Sequence, residues 1–182
     1  MRPHEKDDAK SNIVLIGMPG SGKSTIGRAL ARRMNFGFID CDEYIERMEG
    51  QGLQQIIDGR GLGEFMRIEE ARIMELNLRN YVIAPGGSVV YYPKAVDYLK
   101  KSSVFVFLNA PLNEIRSRLR NAATRGIVGL KTKTLEELFN ERLPLYLKYA
   151  DITVDCFGKS RDMMVEEICR GLARKVRPGP RR

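Results

Sequence analysis

The chain of 182 residues has no tryptophan, a single histidine, only three cysteines and no long apolar run. Each scarcity excludes something. His4 sits in a polar leading stretch, which leaves no histidine for acid–base chemistry. Cys41, Cys156 and Cys169 are odd in number, scattered and without zinc-ligand spacing, so reduced cytosolic thiols are expected. Cys41 lies between two aspartates, where a small filler side chain is the expected role rather than a nucleophile. No stretch approaches the roughly 20 apolar residues of a bilayer crossing, and Met1 to Ser11 is too polar for a secretory signal.

What the chain does contain frames one ordinary domain. A hydrophobic share of 43% and a charged share of 30% read as a soluble globule with an ample core. The formal charge is +8. Part of that excess lies in the stretch from Arg174 to Arg182, whose end over 175–182 reads as a disordered basic tail. The rest is spread through helical patterns or gathered near a phosphate site, which speaks against a nucleic-acid partner. The expected organisation is a polar tail over 1–11, one domain over 12–174 and the basic tail, with the protein a cytoplasmic monomer.

The most specific signal is Gly17-Met18-Pro19-Gly20-Ser21-Gly22-Lys23-Ser24-Thr25, directly after the apolar run Ile13-Val14-Leu15-Ile16. This is the phosphate-binding pattern G-x-x-x-x-G-K-[ST], placed where a buried strand hands over to a helix. Its glycines let backbone N–H groups turn inward around phosphate oxygens, and the helix N-terminus points its positive end at the same anion. Lys23 can reach the outer phosphates and Ser24 can offer its hydroxyl to Mg2+. The dinucleotide fingerprint fails, because its third glycine would fall at Thr25. The expected ligand is a nucleoside triphosphate.

Strand-like runs alternate with helical patterns along the chain. Strands are expected at Ile13–Gly17, Phe36–Asp40, Tyr81–Ala84, Val104–Leu108 and Ile152–Val154. Helices are expected over Ser24–Met34, Asp42–Glu49, Leu53–Asp58, Glu64–Leu78, Pro93–Lys100, Leu112–Arg120, Leu135–Ala150 and Arg161–Lys175. Asn121–Lys133 reads as an irregular basic loop that opens easily. Such alternation implies an α/β fold with a parallel sheet covered on both faces.

A second constellation is Phe38-Ile39-Asp40-Cys41-Asp42. If the extended conformation persists past the strand end, both carboxylates point to the same side. Carboxyl ends of strands line the ligand crevice in open α/β sheets. One aspartate there can support Mg2+ and the other can take a proton from an attacking hydroxyl. The competing role for Asp42 is that it caps the following helix.

Taken together, these motifs resemble the shikimate kinase family over roughly Asn12 to Leu172. The matching elements are the phosphate loop, Asp40-x-Asp42, Glu64-Phe65-x-Arg67-Ile68-Glu69-Glu70, Gly86-Gly87, the basic stretch around Arg125 and Arg142-x-Pro144-Leu145-Tyr146. The resemblance implies a three-layer P-loop kinase fold with a five-stranded parallel sheet, a lid over about 118–134 and a substrate-binding region over about 40–70. It implies ATP and Mg2+, with Gly20, Ser21, Gly22, Lys23, Ser24 and Thr25 on the phosphates. Arg118 then lies along adenine, the segment Cys156–Ser160 with Lys159 flanks it, and Arg125 closes over the phosphates. Ser24 and Asp40 support the metal. Asp42 is the base, and Met66, Gly86, Gly87, Ser88 and Arg142 surround the substrate.

The chain departs from the family pattern at three of those positions. Met66 stands where the family has an arginine that clamps the substrate carboxylate, and Arg67 faces about 100° away on a helix. Ser88 replaces the third glycine of the turn, and Gly126 replaces the proline after Arg125. The expected reaction is transfer of the γ-phosphate of ATP to an alcohol, with shikimate the leading acceptor in aromatic amino-acid biosynthesis. Two alternatives remain: a related kinase for another small hydroxy acid or polyol, and a nucleotide-binding protein without catalysis.

Overall fold

The computed structural model describes residues 10–121 and 126–175. Both expected tails lie largely, and Arg125 entirely, outside the described residues. Five strands, β1 (Asn12–Ile16), β2 (Gly37–Asp40), β3 (Tyr81–Ala84), β4 (Ser103–Asn109) and β5 (Ile152–Asp155), form one parallel sheet in the order β2-β3-β1-β4-β5. β1 lies at the centre, with Ile13 opposite Val82 on one side and Val104 on the other. All of its residues are buried, which explains its apolar run without polar alternation.

Because the sheet is parallel, the carboxyl ends of β1, β2 and β3 share one edge, where Asp40 stands in register with Ala84. The helices are α1 (Lys23–Met34), α2 (Cys41–Glu49), α3 (Leu53–Arg60), α4 (Leu62–Met74), α5 (Pro93–Lys100), α6 (Leu112–Asn121), α7 (Leu135–Tyr149) and α8 (Arg161–Lys175). The main core fills the space between sheet and helices. A second cluster joins Ile45, Leu53, Ile56, Ile57 and Phe65 of α2–α4 to Val128. Glu49 ties the same three helices, pairing with Arg60 at 2.9 Å and Arg72 at 2.9 Å.

Three local expectations are corrected. The extended backbone does not persist past Asp40, because α2 begins at Cys41. Asp40 is the cap of that helix, accepting from the Asp42 N–H at 3.1 Å, so Asp42 is not the cap but a first-turn residue. α4 ends at Met74 rather than Leu78, and carbonyls beyond it are hydrogen-bonded to other elements. The Tyr98 hydroxyl donates to Leu76 O at 2.9 Å and the Asn12 side chain to Leu78 O at 2.7 Å. A short 3-10 turn, Val89–Tyr91, follows the glycine turn.

Candidate active site

The loop after β1 turns back through left-handed glycines, Gly20 at φ 78° and Gly22 at φ 99°, and α1 starts at Lys23. The Lys23 ammonium arches over this loop, donating to Gly17 O at 2.8 Å and Met18 O at 3.1 Å. Desolvation lowers its pKa to about 8, against the opposing pull of Asp42 and Asp40. Ser21 is buried and its Oγ has no partner among the described residues, an orphaned donor inside the loop that a phosphate oxygen would satisfy. Ser24 Oγ donates to Asp40 Oδ2 at 2.5 Å. Gly20, Ser24, Thr25, Asp40 and Arg118 line one side of the opening above the loop. Arg118 donates to Gly20 O at 3.1 Å and pairs with Glu114 at 2.6 Å, which places its guanidinium at the loop's rim.

Lys23 and Asp42 also line a second, adjoining cavity with about 570 Å³ of empty space. Its floor is the turn after β3. A Cβ on Gly86 would collide with the Glu69 carboxylate and lie 3.1 Å from Asp42 Oδ1, while one on Gly87 would meet Pro19 at 2.7 Å and Arg142 Nη1 at 3.1 Å. The bare backbone of this turn therefore separates two carboxylates on one side from a guanidinium on the other. Arg142 is fully buried; its Nη2 donates to Val128 O at 2.7 Å and its Nε to the Tyr91 hydroxyl at 3.2 Å.

The electrostatics of this cavity suit proton transfer. Desolvation pushes Asp42 up to about 7, reinforced by Glu69 and Asp40 and offset by Lys23. Glu69 is raised by its own burial, tempered by hydrogen bonds from Tyr92 and Ser88. The Tyr92 hydroxyl donates at 2.5 Å, and the Ser88 hydroxyl lies 2.7 Å from both Glu69 oxygens. Ser88 thus lines the cavity but turns its hydroxyl to Glu69. Cys41 is buried, and burial drives its thiol well above the ordinary range, so it provides no thiolate nucleophile.

Other candidates stand elsewhere. Met66 is half-buried and packs against both apolar clusters; it is not among the residues lining the cavity. Lys159 pairs with Glu167 of α8 at 2.5 Å and lines neither opening. Gly126 adopts φ 59° and donates its N–H to Gln54 Oε1 at 3.2 Å, and proline could do neither. Residues 126–131 rest against α3, with Lys131 pairing to Asp58 at 2.7 Å. Tyr91, Tyr92 and Val128 lie in none of the sequence motifs, and the motif containing Glu69 gives that residue no role of its own. Glu69 was findable, because Phe65, Glu69 and Ile73 form one buried i, i+4 stripe and a carboxylate there needs a reason.

No helix among the described residues is long and apolar enough to cross a membrane. The shikimate kinase family model matches residues 19–173. The shikimate kinase of Paracidovorax citrulli is 40% identical over 167 residues, covering 88% of this chain and 91% of its own. That of Caldanaerobacter subterraneus is 35% identical over 162 residues, covering 87% and 94%. Among solved structures, a shikimate kinase from Acinetobacter baumannii in complex with shikimate superposes with a TM-score of 0.80 at 26% identity, covering 93% of this chain and 97% of its own.

Proposed function

The chain belongs to the shikimate kinase family, and on that premise we propose that it transfers the γ-phosphate of ATP to a hydroxyl of shikimate through the residues gathered at the carboxyl edge of its sheet. The observation that carries this reading is that Lys23, Asp42 and Arg142 line one cavity. The loop amides and Lys23 hold the outer phosphates of ATP, and Arg118 lies along the nucleotide. Asp42 orients the acceptor hydroxyl and takes its proton. Arg142 holds the acceptor carboxylate in a bidentate, charge-assisted grip. Arg125, next to the docked Gly126, neutralises charge on the transferred group.

The Ser24 hydroxyl and the Asp40 carboxylate form a hard-oxygen pair suited to Mg2+, an ion that keeps most of its shell as water and phosphate oxygen. When bound, the ion supplies charge neutralisation on the phosphates. Most of the rate gain comes from positioning and electrostatics, since phosphoryl transfer needs little covalent help. We place the enzyme in the cytoplasm as a monomer, the second point being open to light scattering.

A coupled ADP-release assay tests the reaction. Wild-type protein turns over with shikimate and ATP, whereas Asp42→Asn lowers kcat at least about a hundredfold and still binds ATP. Silence with shikimate while ATP binds would move the acceptor to another small hydroxy acid or polyol.

A further inference from the structure

Arg142 is a buried cation that makes no ion pair among the described residues. Its guanidinium meets a carbonyl (Val128 O), the Tyr91 hydroxyl, the face of the Tyr91 ring at 5.0 Å and the Tyr146 hydroxyl; no carboxylate of the described residues is in ion-pair contact with it. Yet a carboxylate is close by. Glu141, the preceding residue of α7, accepts from the Tyr91 hydroxyl at 2.9 Å, while the same hydroxyl accepts from Arg142 Nε at 3.2 Å. A single phenol oxygen therefore stands between a guanidinium and an acid that would otherwise neutralise it. Lys133 pairs with the other Glu141 oxygen and draws that acid outward.

Adjacent helical residues point about 100° apart, so Glu141 and Arg142 meet only through a group placed beside the helix. The 3-10 turn after Gly86-Gly87 puts Tyr91 there. We propose that Tyr91 is a positioning residue: its ring and hydroxyl aim Arg142 into the cavity and keep Glu141 from pairing with it, so that the cation stays available to the acceptor's carboxylate. This rests on the reading of Arg142 as the acceptor-binding cation. Its chemistry is specific. The ring face attracts the guanidinium without cancelling its charge, and the hydroxyl gives Nε a neutral acceptor. Loss of the hydroxyl alone leaves the ring in place and opens the path for a direct Glu141–Arg142 pair.

Steady-state kinetics of Tyr91→Phe, Glu141→Gln and the double variant test the proposal. Tyr91→Phe raises KM for shikimate about tenfold with kcat and KM for ATP little changed. Glu141→Gln alone stays near wild type, and added to Tyr91→Phe it restores most of the lost affinity. A Tyr91→Phe enzyme with unchanged KM overturns the proposal, and so does a double variant as impaired as Tyr91→Phe. A fall in kcat, ATP affinity and thermal stability together would also overturn it, since that marks a merely structural role. The Arg142 Nε–H resonance in NMR needs no acceptor: Tyr91→Phe shifts it and the added Glu141→Gln moves it back. If wild-type protein neither binds nor phosphorylates shikimate, the substrate reading fails; an Nε–H signal indifferent to Tyr91→Phe overturns the Tyr91 role regardless.

Discussion

Asp42 and Glu69 crowd together on the same side of the bare Gly86 backbone, and the charge on Glu69 makes Asp42 harder to ionise. A base must be deprotonated to accept a proton, so the sign of the pH effect follows directly. With Asp42 pushed up to about 7, kcat/KM falls on the acid side of that pH, and loss of the Lys23 charge, whose pKa is lowered to about 8, makes it fall again on the alkaline side. Glu69→Gln removes one of the causes, so the acid limb of the pH–rate profile moves to lower pH. A limb that does not move would show that Glu69 leaves the base untouched. At this scale the sequence was most legible where chemistry demands a rare residue type at a set spacing, as in the phosphate loop and the Asp40-x-Asp42 pair. It was least legible where a neutral residue does the work. Nothing in the letters of Tyr91 or Ser88 states that one phenol oxygen abuts Arg142 or that one hydroxyl faces Glu69.

The elements carry these side chains only if they begin and end in the right places. α7 brings Arg142 to the cavity and the Tyr146 hydroxyl to Gly87 O behind it, and its start is secured by a capping box in which Thr134 and Glu137 satisfy each other's backbone N–H groups. Thr134→Ala removes the cap and lowers the melting temperature by about 2–4 °C, measurable by circular dichroism. An unchanged melting point would mean that tertiary packing alone holds the helix end. Helix cores were readable from apolar periodicity, whereas two boundaries were not. β2 passes into α2 with no linker because the Asp40 side chain caps the very next turn. Past the end of α4, carbonyls are taken up by Asn12 and Tyr98, residues remote in sequence. Pattern within a window cannot report partners outside it.

Across the whole molecule, the alternation of strands and helices made a parallel sheet legible, but not the order β2-β3-β1-β4-β5, which depends on how the crossover helices pack. Nor did the letters reveal that the covering segment is anchored to α3 through Gln54 and Asp58 while its Val128 carbonyl holds Arg142. The wall of the cavity is thus assembled from segments far apart in sequence. The buried guanidinium at that junction, which makes no ion pair among the described residues, has a consequence for the fate of the empty protein. An enclosed cation awaiting its counter-ion leaves the resting fold less secure than the loaded one, so an incoming acid strengthens the whole chain by mass action. Shikimate alone should slow digestion by a nonspecific protease, and Arg142→Met should erase that protection. In a growing cell the enzyme's half-life would then follow the supply of the metabolite it consumes, and surplus catalyst would be cleared when flux runs low.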